Sequence, residues 1–299
     1  MSSDLPYILK NLDPDNTRIL PRLISLVENQ KETIPLLASL PNRNIPIIGI
    51  TGPPGAGKST ILSALIEYLR EKGKKLGILA VDPSSALTQG SVLGDRIRMQ
   101  NHTLDAGVFI RSLANRGYLG GLSAATSDIL TVFQAFFFDY IFIETVGVGQ
   151  SEIEVAGLAD TVVVVLVPES GDEIQSIKAG LLEIADILVV NKSDREGAGK
   201  FYGILKNMLH EREVEHKTGL LQTIAETGKG IPELWAEIEN QLKHIPLDRK
   251  IYHLVDKAYQ ILVRNRMQDF DREKMFITIR ERIKDPNFNL YAIIKELNH

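Results

Sequence analysis

The sequence of 299 residues contains no cysteine. Disulfides, cysteine-ligated zinc and thiol nucleophiles are thereby excluded, and the absence fits a reducing compartment. Histidine is scarce, six residues with none in an H-x-H pair. An excess of positive charge is also missing. The 34 Lys and Arg stand against 38 Asp and Glu, a formal charge of −4, whereas a protein that coats nucleic acid presents a basic face. The longest apolar runs, 132–146 and 161–168, fall short of the about 20 residues a bilayer crossing needs. Gln134, Asp139 and Glu144 interrupt the first of them. Residues 1–18 show no cationic segment followed by an apolar core, so no secretory signal is read. These absences predict a soluble, cytoplasmic protein with neither nucleic-acid nor membrane partners.

What is present is apolar material, 44% of the residues, enough for a sizeable core. Residues 1–44 form an N-terminal extension in which Ile19, Leu20, Leu23, Ile24 and Val27 recur at helical spacing, with Leu36 and Leu37 following. From residue 45 short β-rich runs alternate with helical ones. Strands are predicted over 45–51, 75–81, 108–111, 140–143, 161–167, 187–190 and 220–225, and helices over segments such as 59–70, 123–138, 173–183 and 232–242. Several strand runs are apolar throughout, as in parallel strands covered on both faces. The alternation predicts an α/β fold with a doubly wound, mostly parallel P-loop sheet over 45–246. Beyond it, Ile251, Leu254, Val255, Ala258, Ile261 and Leu262 mark one helix and Met275, Ile279 and Ile283 a second. Residues 247–299 are therefore a helical C-terminal arm, read either as a lid on the sheet or as a dimerisation element.

Gly52-Pro53-Pro54-Gly55-Ala56-Gly57-Lys58-Ser59-Thr60 matches the phosphate-binding pattern G-x-x-x-x-G-K-[ST], between a predicted strand and a predicted helix. Glycines let backbone N–H groups close around phosphate oxygens, and the helix N-terminus adds its positive dipole end. Lys58 would bridge the β- and γ-phosphates, and Ser59 would offer a hydroxyl to Mg²⁺. Acidic partners for that metal are sought at the ends of neighbouring strands: Asp82, Asp95 and Glu144. Glu144-Thr145-Val146-Gly147 reads as a D-x-x-G switch with glutamate in the first place, and Gly147 would offer its N–H to the γ-phosphate. Arg96, Arg98 and Arg116 are either charge stabilisers near phosphate or ordinary surface cations.

Asn191-Lys192-Ser193-Asp194 matches N-K-x-D after an apolar strand. The Asp194 carboxylate can accept from N1–H and the exocyclic amine of guanine, donors that adenine lacks there, which predicts GTP and GDP rather than ATP as ligands. Lys192 would pack along the base and Asn191 tie loops together. Thr223-Ile224-Ala225-Glu226 stands where a loop reads guanine O6, with the backbone N–H of Ala225 in that role and Ile224 in place of the usual serine. Elsewhere Trp235 and the Phe136–Phe138 run are expected in the core, and His102 at the surface.

The run GITGPPGAGKST, then LAVDPSS, LGDRIRM, IFIETVGVGQSE and NKSD resembles the MeaB/ArgK-type G proteins, over roughly residues 15–295. The resemblance implies a GTPase chaperone of an adenosylcobalamin-dependent acyl-CoA mutase of the methylmalonyl-CoA mutase type, gating cofactor loading and protecting the mutase. It leaves open whether a cobalamin adenosyltransferase joins. It also implies a homodimer joined through the C-terminal arm. It places Ser59, Asp82, Asp95 and Glu144 at the family's magnesium positions and assigns Lys58, Glu144 and Lys178 to the catalytic set, with 170–178 as a third switch. The chain departs from the family at Ala86-Leu87-Thr88-Gln89-Gly90, within the first switch. Val148 follows Gly147 where Ras-like proteins carry a water-orienting glutamine, and Gln150 is three residues beyond Gly147, so slow, partner-stimulated turnover is expected. Two competing readings are a metallochaperone GTPase of the urease or hydrogenase type and a transport-accessory ATPase or kinase.

Overall fold

The computed structural model describes residues 13–29, 33–83, 102, 104–115, 123–145, 154–168, 179–210, 218–266 and 272–282. Seven strands form one sheet: β1 (Ile47–Thr51), β2 (Leu76–Pro83), β3 (Val108–Asn115), β4 (Tyr140–Thr145), β5 (Thr161–Leu166), β6 (Ile187–Val190) and β7 (Gly219–Gln222). All are parallel, in the order β3-β2-β4-β1-β5-β6-β7. The chain winds from β1 toward one edge, then crosses back and fills the other. Among the described residues the helices are α1 (Leu20–Asn29), α2 (Ile34–Ser39), α3 (Lys58–Glu71), α4 (Ser123–Phe133), α5 (Ala179–Ile184), α6 (Ala198–His210), α7 (Ile231–Lys243), α8 (Leu247–Arg266) and α9 (Arg272–Arg282).

The two faces of the sheet are buried under different helices. Ile48, Ile50, Ile78, Phe142, Val163 and Val165 pack with Ile61, Leu62, Leu65 and Ile66 of α3 and with Leu234, Trp235 and Ile238 of α7. The alternate residues, such as Leu79, Ile141, Ile143, Val162, Val164 and Leu188, pack with Leu20, Leu23 and Ile24 of α1, Ile129 and Phe133 of α4 and Phe201 of α6. Successive side chains point to opposite faces of a strand, so a strand covered on both sides must be apolar at every position. Each fully buried Val, Leu, Ile or Phe contributes about 1.5–3 kcal/mol of transfer free energy.

The N-terminal edge of the sheet carries a repeated device. Asp139, Asp160 and Asp186 each precede a strand, and each carboxylate accepts the N–H at the start of the neighbouring strand. Asp139 takes Lys75 N at 2.8 Å, Asp160 takes Ile47 N at 2.9 Å and Asp186 takes Val162 N at 2.8 Å. Asp186 is buried and receives a second partner from α8: Arg249 Nη1 and Nη2 reach its two oxygens at 2.5 and 3.0 Å. One turn pair further along α8, Lys257 Nζ donates to Thr131 Oγ1 of α4 at 3.2 Å. Burial pushes the Lys257 ammonium below its ordinary pKa, and nearby Asp128 opposes that shift.

The chain divides into two compact units, Met1–Ala258 and Tyr259–His299, with α8 crossing from the first to the second. Both predicted C-terminal helices are present. In the first unit α8 exposes Leu247, Ile251, Tyr252, Leu254 and Val255; in the second, Tyr259, Leu262 and Val263 of α8 and Phe276 and Ile277 of α9 are exposed. No helix among the described residues is long and apolar enough to cross a membrane.

Several local expectations differ from the structure. The strand predicted over 220–225 runs Gly219–Gln222, and Ala225–Thr227 form a turn instead. The helix predicted over 123–138 stops at Phe133, because the bonding tightens to Ala135 N→Val132 O and Phe136 N→Phe133 O, which tucks Phe136 and Phe138 inward. Phe137 stays 43% exposed, under the guanidinium of Arg43 at 3.9 Å from the ring centroid. His102, expected at the surface, is buried. Of the helix predicted over 173–183, residues 173–178 lie outside the described residues.

Candidate nucleotide-binding site

At the C-terminal edge of the sheet, β1 ends at Thr51 and the chain enters the loop 52–57 before α3 begins at Lys58. Two glycines make the loop possible. Gly52 has φ +136, and a Cβ there would collide with the Val165 carbonyl. Gly57 has φ +90, and a Cβ would meet the Asn191 amide. No other residue fits either position without displacing its neighbour. Side-chain donors hold the loop's carbonyls. Lys58 Nζ donates to Gly52 O at 2.8 Å and Pro53 O at 2.9 Å; Lys192 Nζ donates to Gly55 O at 2.8 Å; Asn191 Nδ2 donates to Ala56 O at 2.9 Å. A planar peptide sets its C=O and the following N–H on opposite sides. Fixing Ala56 O therefore fixes the aim of the Gly57 N–H, at a helix N-terminus suited to phosphate.

Glu144 lies near the end of β4, between Ile50 of β1 and Ala80 of β2 in register. Its carboxylate is buried and accepts from Ser59 Oγ at 2.6 Å, a short charge-assisted bond. The hydroxyl and the carboxylate singled out in the sequence as metal oxygens thus meet 85 positions apart in the chain. Beside them Thr51 Oγ1 and Thr145 Oγ1 bond at 2.8 Å, joining the tips of β1 and β4. Asp82 lies in β2, with Ala114 of β3 as its register partner. Asp95, Gly147 and Lys178 lie outside the described residues, as do Arg96, Arg98, Arg116, Gln150, 86–90 and 170–178.

The base motif leaves β6. Asn191 is buried and joins three segments: besides Ala56 O, its Oδ1 accepts from Thr223 Oγ1 at 3.0 Å and Ala225 N at 3.2 Å. Lys192 adopts φ +54, which turns the chain sharply after Asn191. Ser193 N donates to Thr223 O at 3.0 Å, and Asp194 is exposed. Ile224 leads into the turn Ala225–Thr227, in which Ala225 is buried and Glu226 exposed. The loop carrying Thr223 and Ala225 is thereby fastened to the phosphate loop through one amide side chain. Sequence reasoning did not single out Thr51 or Thr145. The available signal was a threonine closing an otherwise apolar strand beside a motif.

Comparison with known proteins agrees with this geometry. A model of the family described as methylmalonyl-CoA mutase-associated GTPase MeaB matches residues 20–274. A protein of Pyrococcus horikoshii with a provisional GTPase name is 48% identical over 257 residues, covering 82% of this chain and 80% of its own. The mouse mitochondrial methylmalonic aciduria type A homolog is 38% identical over 227 residues, 73% of this chain and 52% of its own. GTPase ArgK of Escherichia coli K12 is 39% identical over 197 residues, 64% of this chain and 60% of its own. The crystal structure of a LAO/AO transport system kinase superposes with a TM-score of 0.68 at 24% identity, covering 100% of this chain and 97% of that one, a likeness of fold. Phosphate loop, strand-end glutamate and guanine motif share one edge of the sheet, the family match spans most of the chain, and the chain is accordingly a GTP hydrolase belonging to the MeaB family.

Proposed function

We propose that this GTPase serves as a G-protein chaperone of an adenosylcobalamin-dependent acyl-CoA mutase, of the methylmalonyl-CoA mutase type, gating cofactor loading and protecting the mutase. The family match and the similarity to the methylmalonic aciduria type A homolog support the partner. The bond between Ser59 and Glu144 carries the reading of hydrolysis as a timer. The Ser59 oxygen keeps lone pairs for a metal–nucleotide complex while its hydrogen stays on Glu144, so the bond links that complex to Glu144, which begins the Glu144-Thr145-Val146-Gly147 stretch. Nucleotide state is thus passed to the chain leaving β4.

The convergent Ser59 hydroxyl and Glu144 carboxylate oxygens suit a hard cation, and Ser59, Asp82, Asp95 and Glu144 are the residues that would hold Mg²⁺, which would supply charge neutralisation at the phosphates. In the proposed reaction water attacks the γ-phosphate in line, the bond from the γ-phosphorus to the β–γ bridging oxygen breaks, and GDP and inorganic phosphate leave. Lys58, held over the loop by Gly52 O and Pro53 O, follows the growing charge, and the loop N–H groups bind the β-phosphate. Gly147 offers its N–H to the γ-phosphate, and Lys178 with 170–178 relays the result to the mutase. Val148 cannot orient water, so intrinsic turnover is slow. The exposed Leu247, Ile251, Tyr252, Leu254 and Val255 of α8 support a homodimer through the C-terminal arm. The test is GTP turnover by the purified protein with and without the mutase from the same genome. Stimulation of roughly tenfold or more supports the chaperone. Unstimulated hydrolysis leaves a GTPase detached from the mutase, and a basal rate of about tens per second, near typical enzyme turnover, removes the timer.

A further inference from the structure

The ladder between β1 and β4 ends at Ile50 and Glu144, the last residues matched across the two strands. At the next position Thr51 pairs outward with Val164 of β5, and Thr145 pairs outward with Val81 of β2. Toward each other the two tips are joined by side chains, Thr51 Oγ1 and Thr145 Oγ1 at 2.8 Å. Both threonines are buried, so neither hydroxyl can turn to water instead. The next strands along the sheet, β5 and β6, close on the apolar Leu166 and Val190. Valine has nearly the shape of threonine and no hydroxyl to desolvate, so burial alone gives no reason for hydroxyls at these two tips. What the pair adds is direction, because a hydrogen bond tolerates little change in length or angle.

The bond has a particular place. Successive residues of a strand face opposite sides of the sheet. Thr51 and Thr145 fall on the face of Ile47, Ile141 and Ile143, which packs with α1 and α4. Glu144 faces the other way, toward α3, where it accepts from Ser59 Oγ at 2.6 Å. The threonines thus stand behind the carboxylate, with the sheet between them. Along the chain, Thr51 immediately precedes Gly52, whose carbonyl accepts from Lys58 Nζ at 2.8 Å, and Thr145 immediately follows Glu144. The pair therefore ties the start of the phosphate loop to the residue that bears the carboxylate. Without it Glu144 would occupy the open end of the β1–β4 ladder, where pairing frays most readily.

We infer that Thr51 and Thr145 are a positioning pair: their bond holds the tip of β4 against β1 and so fixes the Glu144 carboxylate relative to the phosphate loop and Ser59. The inference rests on the reading of Ser59 and Glu144 as metal residues. Its test is the GDP affinity of the full chain in Mg²⁺ and in chelator, with the thermal midpoint of the nucleotide-free protein alongside. Thr51→Val and Thr145→Val are each expected to cut the gain in affinity from Mg²⁺ roughly fivefold, the worth of one buried hydrogen bond, while affinity in chelator stays level. Each also strands one buried hydroxyl and should lower the midpoint. The double variant Thr51→Val with Thr145→Val strands none, so the midpoint should largely return while the Mg²⁺ loss remains. Thr145→Ser, which keeps the hydroxyl, should behave as the native chain does. Glu144→Gln serves as the reference and should remove most of the Mg²⁺ gain. If it does and the double valine variant keeps the native Mg²⁺ gain, the threonine pair is structural only: the inference is overturned and the metal role of Glu144 stands. If Glu144→Gln changes nothing, both fall. Should a single variant melt below the assay temperature, the double variant decides.

Discussion

Asp194 shows how one carboxylate sets the choice of nucleotide. It is exposed beside a backbone that Asn191, Ser193 and Thr223 fix. Asp194→Asn replaces two acceptors by one acceptor and one donor, the complement of xanthine rather than guanine. GTP affinity should fall roughly 100-fold or more, and xanthosine triphosphate should become the better substrate in a competition assay. Stability should stay within about 0.5 kcal/mol, since the side chain is exposed. Asp105 offers a test by pH. Hydrogen bonds from Arg70, then from the Gly107 amide, hold its carboxyl below the ordinary 3.8. The pair therefore adds stability above that value and loses it as pH falls through the depressed folded-state value. The gap in unfolding free energy between the native chain and Asp105→Asn should be open at neutral pH and close in acid. Sequence made Asp194 and Asn191 legible because each belongs to a motif whose spacing is itself the signal. His102 was not legible. Its burial comes from Ser63, 39 positions away, and nothing local to His102 announces that contact.

Among elements, the strands were readable because continuous apolar runs bounded by turn residues have few other uses. β6 matches the expected 187–190, and β2 and β4 run two residues past theirs. The end of α4 was not readable, since Phe136–Phe138 continue an apolar pattern and only the tightened hydrogen bonding ends the helix. The aspartates preceding β4, β5 and β6 are plain in the sequence, but their task depends on which strand lies alongside, a matter of sheet order. Their energetics can be tested at Asp186. Arg249→Ala would leave a buried carboxylate holding, among the described residues, only the Val162 N–H, a loss of about 3 kcal/mol in urea denaturation. The double variant Arg249→Ala with Asp186→Asn should recover part of it, because the neutral amide can still accept from Val162. A single-variant loss under about 0.5 kcal/mol, the size of a surface effect, would show that the pair does not anchor α8.

For the whole molecule, the sheet's C-terminal edge belongs to the nucleotide and its N-terminal edge to the start of the arm. If the exposed apolar residues of α8 meet a second copy, Ile251→Glu with Val255→Glu should give a monomer by sedimentation velocity and leave GTP affinity unchanged. A native chain that is already monomeric at about 50 μM, well above typical dimer dissociation constants, would defeat the dimer. The sequence showed that an arm exists but not where it attaches, because Arg249 reads as one more cation on an amphipathic helix. That attachment bears on how separable the parts are. Texture alone draws a boundary at residue 247, yet such a cut passes between Arg249 and the buried Asp186 it neutralises. A truncated sandwich would carry an orphaned anion under β5 and β6. The GTPase fold is thus not a free-standing cassette: recombination could exchange the chain beyond Ala258, but the opening turns of α8 must travel with the sheet.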